Sequence, residues 1–188
     1  MYFRLRQTLV LLPLAFMLAA CATSPPTYTP DSQSIAYAKQ FLHSWGAGEI
    51  AMASFERRMK QEENTQPGMA ALVRRAFAGT TTDDFENIAA PVYARHLSKS
   101  DLAALARFTA TRAGNRFFRV AVAGALKHQK TKDITRQLTA DELAAAVKFA
   151  QTGAFKAMKR ELPTINREMA EAASRWGKEK MQAYINNQ

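Results

Sequence analysis

Apolar positions along this chain recur at helical spacing from about residue 32 onward. In "SQSIAYAKQFLHSWG", Ile35, Ala38, Phe41, Leu42 and Trp45 share one face, and Gly46 is a stop signal. In "EIAMASFERRMKQEE", Ile50, Met52, Phe55 and Met59 make a shorter apolar face. Pro67-Gly68 punctuates, and "MAALVRRAFAG" follows, with Leu72, Val73, Ala76 and Phe77 apolar and Gly79 as terminator. Thr81 and Asp84 read as the next helix start, leading into "FENIAAPVYARHL". Pro91 should kink or divide that helix, because it lacks an N–H and clashes with the preceding turn. No run alternates with the period of a strand between hairpin turns. The expectation is an all-α fold, a compact antiparallel helical bundle occupying residues 33–188 as a single domain.

Two segments echo each other. "RHLSKSDLAALARF" (95–108) and "RQLTADELAAAVKF" (136–149) agree at six of fourteen positions at an offset of 41. Ser98 and Thr139 are N-cap residues, and Asp101 and Glu142 stand three residues on, as in a capping box. Leu102 and Leu143 begin the buried stripe; Phe108 and Phe149 continue it. Gly114 and Gly153 follow, with a register slip of two, and Ala113-Gly114-Asn115 reads as a helix stop. The bundle should therefore contain two similar capped-helix units, too few for a solenoid. The last segment places Ile165, Met169, Ala172 and Trp176 on one stripe, with Met181 and Ile185 continuing it past Gly177. Core cover is its expected role.

The N-terminus obeys a different pattern. Arg4 and Arg6 precede the apolar run "LVLLPLAFMLAA", which is shorter than the ~20 residues of a spanning helix. A basic start, a short apolar core and a small-residue exit make residues 1–20 a signal peptide. Leu18-Ala19-Ala20-Cys21 resembles a bacterial lipobox. That resemblance implies cleavage before Cys21 and lipidation of its thiol by diacylglyceryl and acyl (palmitate-type) chains. Several acyl chains hold a protein on a membrane where one does not. Cys21 is the only cysteine, so lipidation leaves no thiol for catalysis, a disulfide or a metal. Residues 21–32 hold three prolines and read as a flexible tether. Ala22, where an inner-membrane lipoprotein of enteric bacteria usually carries aspartate, points to the outer membrane facing the periplasm.

Charge narrows the partners. The chain carries +10, of which Arg4 and Arg6 contribute two, and its basic residues alternate with acids. Anionic lipid is a fitting neighbour, whereas nucleic acid would need a basic stripe or motif, and neither appears.

Residues 80–170 resemble a bacterial family called domain of unknown function twenty fifty-nine. The likeness rests on Val92-Tyr93-Ala94-Arg95-His96-Leu97-Ser98, Asp101-Leu102, Phe108 and Ala113-Gly114-Asn115-Arg116, then on Phe149, Gly153 and Pro163. Thr109, Thr111 and Arg112 depart from the Tyr and Ser-Pro that members often carry. The resemblance implies a secreted, helical protein and transfers no catalytic residue.

Candidate chemistry is sparse. His43, His96 and His128 lack metal-ligand spacing in sequence. His43 reads as a packed or half-exposed side chain, and His128, in "KHQKTK", as part of a solvated connector. No catalytic, cofactor-binding or metal residue is assigned. The expected function is that of a non-enzymatic, membrane-anchored binding module, whose partner is an envelope protein or anionic lipid. Its candidate interaction surface is Tyr93, His96, Arg116, Arg119 and Trp176. In "RFFR" (116–119), a phenylalanine should enter the core while both arginines stay wet. The alternative is an envelope hydrolase acting on cell-wall or lipid material, which requires Arg95, His96 and Asp101 to converge in a cleft.

Overall fold

A computed structural model describes residues 27–126 and 134–188. All regular structure among them is helical. The helices are α1 (Ser32–Ser44), α2 (Ala47–Thr65), α3 (Pro67–Ala76), α4 (Thr82–His96), α5 (Lys99–Thr109), α6 (Arg112–Leu126), α7 (Ala140–Ala150) and α8 (Gly153–Asn186). No helix among the described residues is long and apolar enough to cross a membrane. Cys21, the signal-peptide stretch and His128 lie outside the described residues.

Local chemistry sets the helix ends. Asp31 caps α1: its carboxylate accepts from Ser34 N–H at 2.6 Å, and Ser34 Oγ accepts from Asp31 N–H at 3.0 Å. Gly46 adopts φ +77° between α1 and α2, where a side chain would be strained. Pro67 opens α3 at a position where its missing N–H costs nothing, and Gly79 turns the chain at φ +80°. The Asp84 carboxylate accepts from Thr81 N–H at 2.8 Å, which confirms the Thr81–Asp84 start. That hydrogen bond outweighs the opposing effect of burial and lowers the Asp84 pKa.

Antiparallel pairing builds the core. Phe41 meets Tyr93 and His43 meets Glu86, so α1 and α4 run in opposite directions. Arg95 meets Glu168 and Phe85 meets Trp176, which opposes α4 to α8. Phe41, Leu42, Leu97, Leu102, Leu105 and Ile165 are almost wholly buried. Each such side chain contributes roughly 1.5–3 kcal/mol of hydrophobic stabilisation. Phe41 is the hub of an aromatic cluster, with Trp45, Tyr93 and Phe118 at 6.1, 5.7 and 5.2 Å between ring centres.

Three sequence expectations are corrected. Helix α4 runs through Pro91 without dividing. Burial of Ala89, Ala90, Val92 and Tyr93 around the proline outweighs the lost backbone bond. Gly114 is not a helix stop but lies in the first turn of α6. A Cβ there would stand 2.0 Å from Phe108 O, so glycine is required by close approach of two backbones. Nor does the register of the repeat slip. Thr111 and Thr152, again 41 apart, each donate a hydroxyl at 2.7 Å to the carbonyl of the preceding Phe. Each then accepts from the N–H three residues on.

The two capped units exist as helices of equal length, α5 and α7. Their equivalent phenylalanines, Phe108 and Phe149, stack face to face, 3.9 Å between centres and 8° from parallel.

Candidate functional site

The residues proposed as an interaction surface fall in separate settings. Tyr93 is 7% exposed, its ring edge-on to Phe41, and burial pushes its hydroxyl up to about 12. His96 is 6% exposed. Neither belongs to a surface: the α4 face that carries them turns into the core. Trp176 is half-buried and meets Phe77 and Phe85 edge-on, at 5.2 and 5.5 Å. It roofs the α3–α4 junction, with Lys180 5.5 Å over its ring, so core cover is its role. Arg116 and Arg119 are exposed while Phe118 is buried between them, as "RFFR" implied. Arg119 pairs with Glu49 at 3.0 Å.

Of the three residues required by the hydrolase alternative, two come together. Arg95 Nη2 lies 3.0 Å from Glu168 Oε2, and His96 Nε2 lies 2.9 Å from Glu168 Oε1. The second contact is close but outside hydrogen-bond angles, which leaves buried Nε2 without an aligned partner. Burial raises the Glu168 pKa, but Arg95 and then His96 more than offset this and hold the carboxyl below its ordinary value. Asp101 stays apart in the α5 cap, accepting from the Ser98 hydroxyl at 2.6 Å. The Arg95–His96–Glu168 cluster thus ties α4 to α8. Glu168 carried no motif in sequence; only the antiparallel packing brings it 73 residues back to Arg95.

A polar cleft opens between α6 and α7. It has a volume of about 490 Å³ and is lined by Thr111, Arg112, Asn115, Arg116, Gln137 and Thr139. Arg112 is 94% exposed and stands 3.8 Å from the Glu142 carboxylate. Glu142 is already engaged, accepting from Thr139 N–H at 3.0 Å. Among the described residues, Arg116 contacts the Gln137 carbonyl at 3.5 Å. The Asn115 side-chain amide donates to the Ser44 carbonyl and anchors α6 to α1. Arg112 at the start of α6 and Thr139 at the start of α7 both line this cleft.

A third constellation was not legible by spacing. His43, from the last turn of α1, meets Asp83 and Glu86, from the first turns of α4. One ligand atom from each lies within 4.8 Å of the others. The sequence carried only half the signal, an i, i+3 pair of acids on one helix face. The histidine partner stands 43 residues away from Glu86.

No family model, curated protein or solved structure matches the chain.

Proposed function

We propose that this protein is a lipid-anchored, non-enzymatic binding module of the bacterial envelope, held through Cys21 on the outer membrane and facing the periplasm. Its helical domain would present the α6–α7 cleft to an acidic group on a partner protein of the envelope. The observation that carries this reading is the cleft itself: exposed Arg112 and Arg116 line it with long contacts, at 3.8 Å to Glu142 and 3.5 Å to the Gln137 carbonyl, whereas Arg119 pairs closely with Glu49 at 3.0 Å. The use of Arg95, His96 and Asp101 in ties and a cap favours binding over hydrolysis.

The lipobox pattern around Cys21 supports the anchoring, and the resemblance to domain of unknown function twenty fifty-nine supports an exported helical domain. The tether is short on the domain side. Tyr28 N–H already donates to the Arg95 carbonyl at 2.8 Å, so the domain would sit close to the lipid surface.

Crosslinking in intact envelopes tests the binding module. The native chain should give an adduct that Arg112→Glu/Arg116→Glu loses; an adduct indifferent to that charge reversal would count against the cleft. Fractionation of Cys21→Ser tests the anchor separately. The variant should leave the membrane fraction, and full retention there would sink the anchoring.

A further inference from the structure

Glu86 poses a problem of charge. It is 4% exposed, and a buried carboxylate costs several kcal/mol unless a cation or several donors meet it. Among the described residues its one polar partner is His43 Nδ1, at 3.3 Å, on a side chain that is itself 74% exposed. No arginine or lysine pairs with it there. Asp83, one turn earlier on the same face of α4, adds a second carboxylate beside it. The three residues border a cleft of about 280 Å³, with Lys39 and Gln40 on its rim.

We propose that His43, Asp83 and Glu86 form a binding site for a divalent transition-metal ion of the zinc class. The ligand set is one imidazole and two carboxylates, which suits a borderline cation better than calcium or magnesium, whose sites are built of oxygen alone. In a tetrahedral site, ligand bonds of about 2.1 Å place ligand atoms about 3.4 Å apart. His43 Nδ1 and Glu86 Oε2 already stand 3.3 Å apart, and the present limit of 4.8 Å is closed by a movement of at most about 1.4 Å, which the exposed His43 and Asp83 side chains are free to make. The ion would neutralise Glu86, and three protein ligands would leave a position for water. It would also clamp the end of α1 to the start of α4, a junction that otherwise rests on apolar packing and one imidazole contact.

The test uses the full chain in detergent, stripped of metal and titrated with zinc by equilibrium dialysis. The native chain should bind one equivalent and gain thermal stability in proportion to zinc. Because the His43 ring is mostly exposed, His43→Ala should fold normally by circular dichroism yet bind at least tenfold more weakly and lose the zinc-dependent shift in midpoint. Asp83→Asn should weaken binding in the same direction, while His128→Ala should match the native chain. Failure of the native chain to bind zinc would leave a plain His43–Glu86 contact and overturn the proposal. So would binding that His43→Ala leaves unchanged.

Discussion

Helices α5 and α7 begin with the same chemistry and end in different surroundings. Ser98 accepts from Asp101 N–H at 3.1 Å, and Thr139 accepts from Glu142 N–H at 3.2 Å. The next equivalent residues diverge. Leu102, Leu105 and Ala106 are buried, the first two completely, because α5 is wedged between α1 and α8. In α7, Leu143 is only half-buried and Val147 is 52% exposed, since α6 is its main neighbour. A shared capping device therefore produces two helices of one length and says nothing about how deeply either is buried.

The largest expected contrast comes from the matched leucines. Leu102→Ala should cost about 3–5 kcal/mol, from lost transfer energy plus a cavity that α1 and α8 cannot collapse into. Leu143→Ala should cost under about 1.5 kcal/mol, because water already reaches that site. Chemical denaturation of both variants measures the difference, and equal losses would break the comparison.

The glycines give the next contrast. Gly114→Ala places a methyl group against the Phe108 carbonyl and should destabilise by about 1–3 kcal/mol through forced backbone displacement. Gly153→Ala meets no atom within 4 Å and should be neutral, or stabilising by up to about 1 kcal/mol as the unfolded chain loses freedom. Thermal midpoints of the pair, moving in opposite directions, would sharpen the contrast.

The caps should erase it. Ser98→Ala and Thr139→Ala are each expected to cost about 1 kcal/mol, because a cap acts on the first turn whatever the helix faces. Urea unfolding that separates the two by more than that figure would show that burial also governs the caps.

The smallest effect is acid sensitivity on the α4–α8 side. The Glu168 pKa lies below its ordinary value in the folded state. Its contribution to stability is therefore complete above the unfolded carboxylate pKa and is lost as pH falls through the folded one. Glu168→Gln should lower the neutral plateau and flatten the acid limb by a similar amount, so that the two profiles converge at low pH, and an unaltered acid limb would remove the role given to this residue. Asp31, held near pKa about 2 by Lys99 and by Ser34 N–H, should show the same sign at the start of α1.

The candidate sites were less legible than the helices. "RFFR" disclosed its exposed arginines and buried phenylalanine, because that alternation is local. Tyr93 and His96 were misplaced as surface residues because α4 is apolar on more than one face, touching α1, α2 and α8 at once. A helix with three neighbours has no single stripe for periodicity to find. His43 could not be joined to Asp83 and Glu86, nor Glu168 to His96, since each pair is made by antiparallel packing across 40 or more residues.

By itself the sequence determined the all-α class, the helix starts at Thr81, Ser98 and Thr139, and the internal repeat with its 41-residue offset. These depend on hydrogen bonds and periodicity within about one turn of chain. Tertiary structure alone decided that α4 and α8 continue through Pro91 and Pro163 and that Gly114 is a contact rather than a stop. It alone decided that one repeat is core while the other is rim, and that three distant polar residues meet at the α1–α4 junction. The physical reason is the same in each case. A local rule worth about 1–3 kcal/mol yields wherever burial of several neighbouring side chains is worth more.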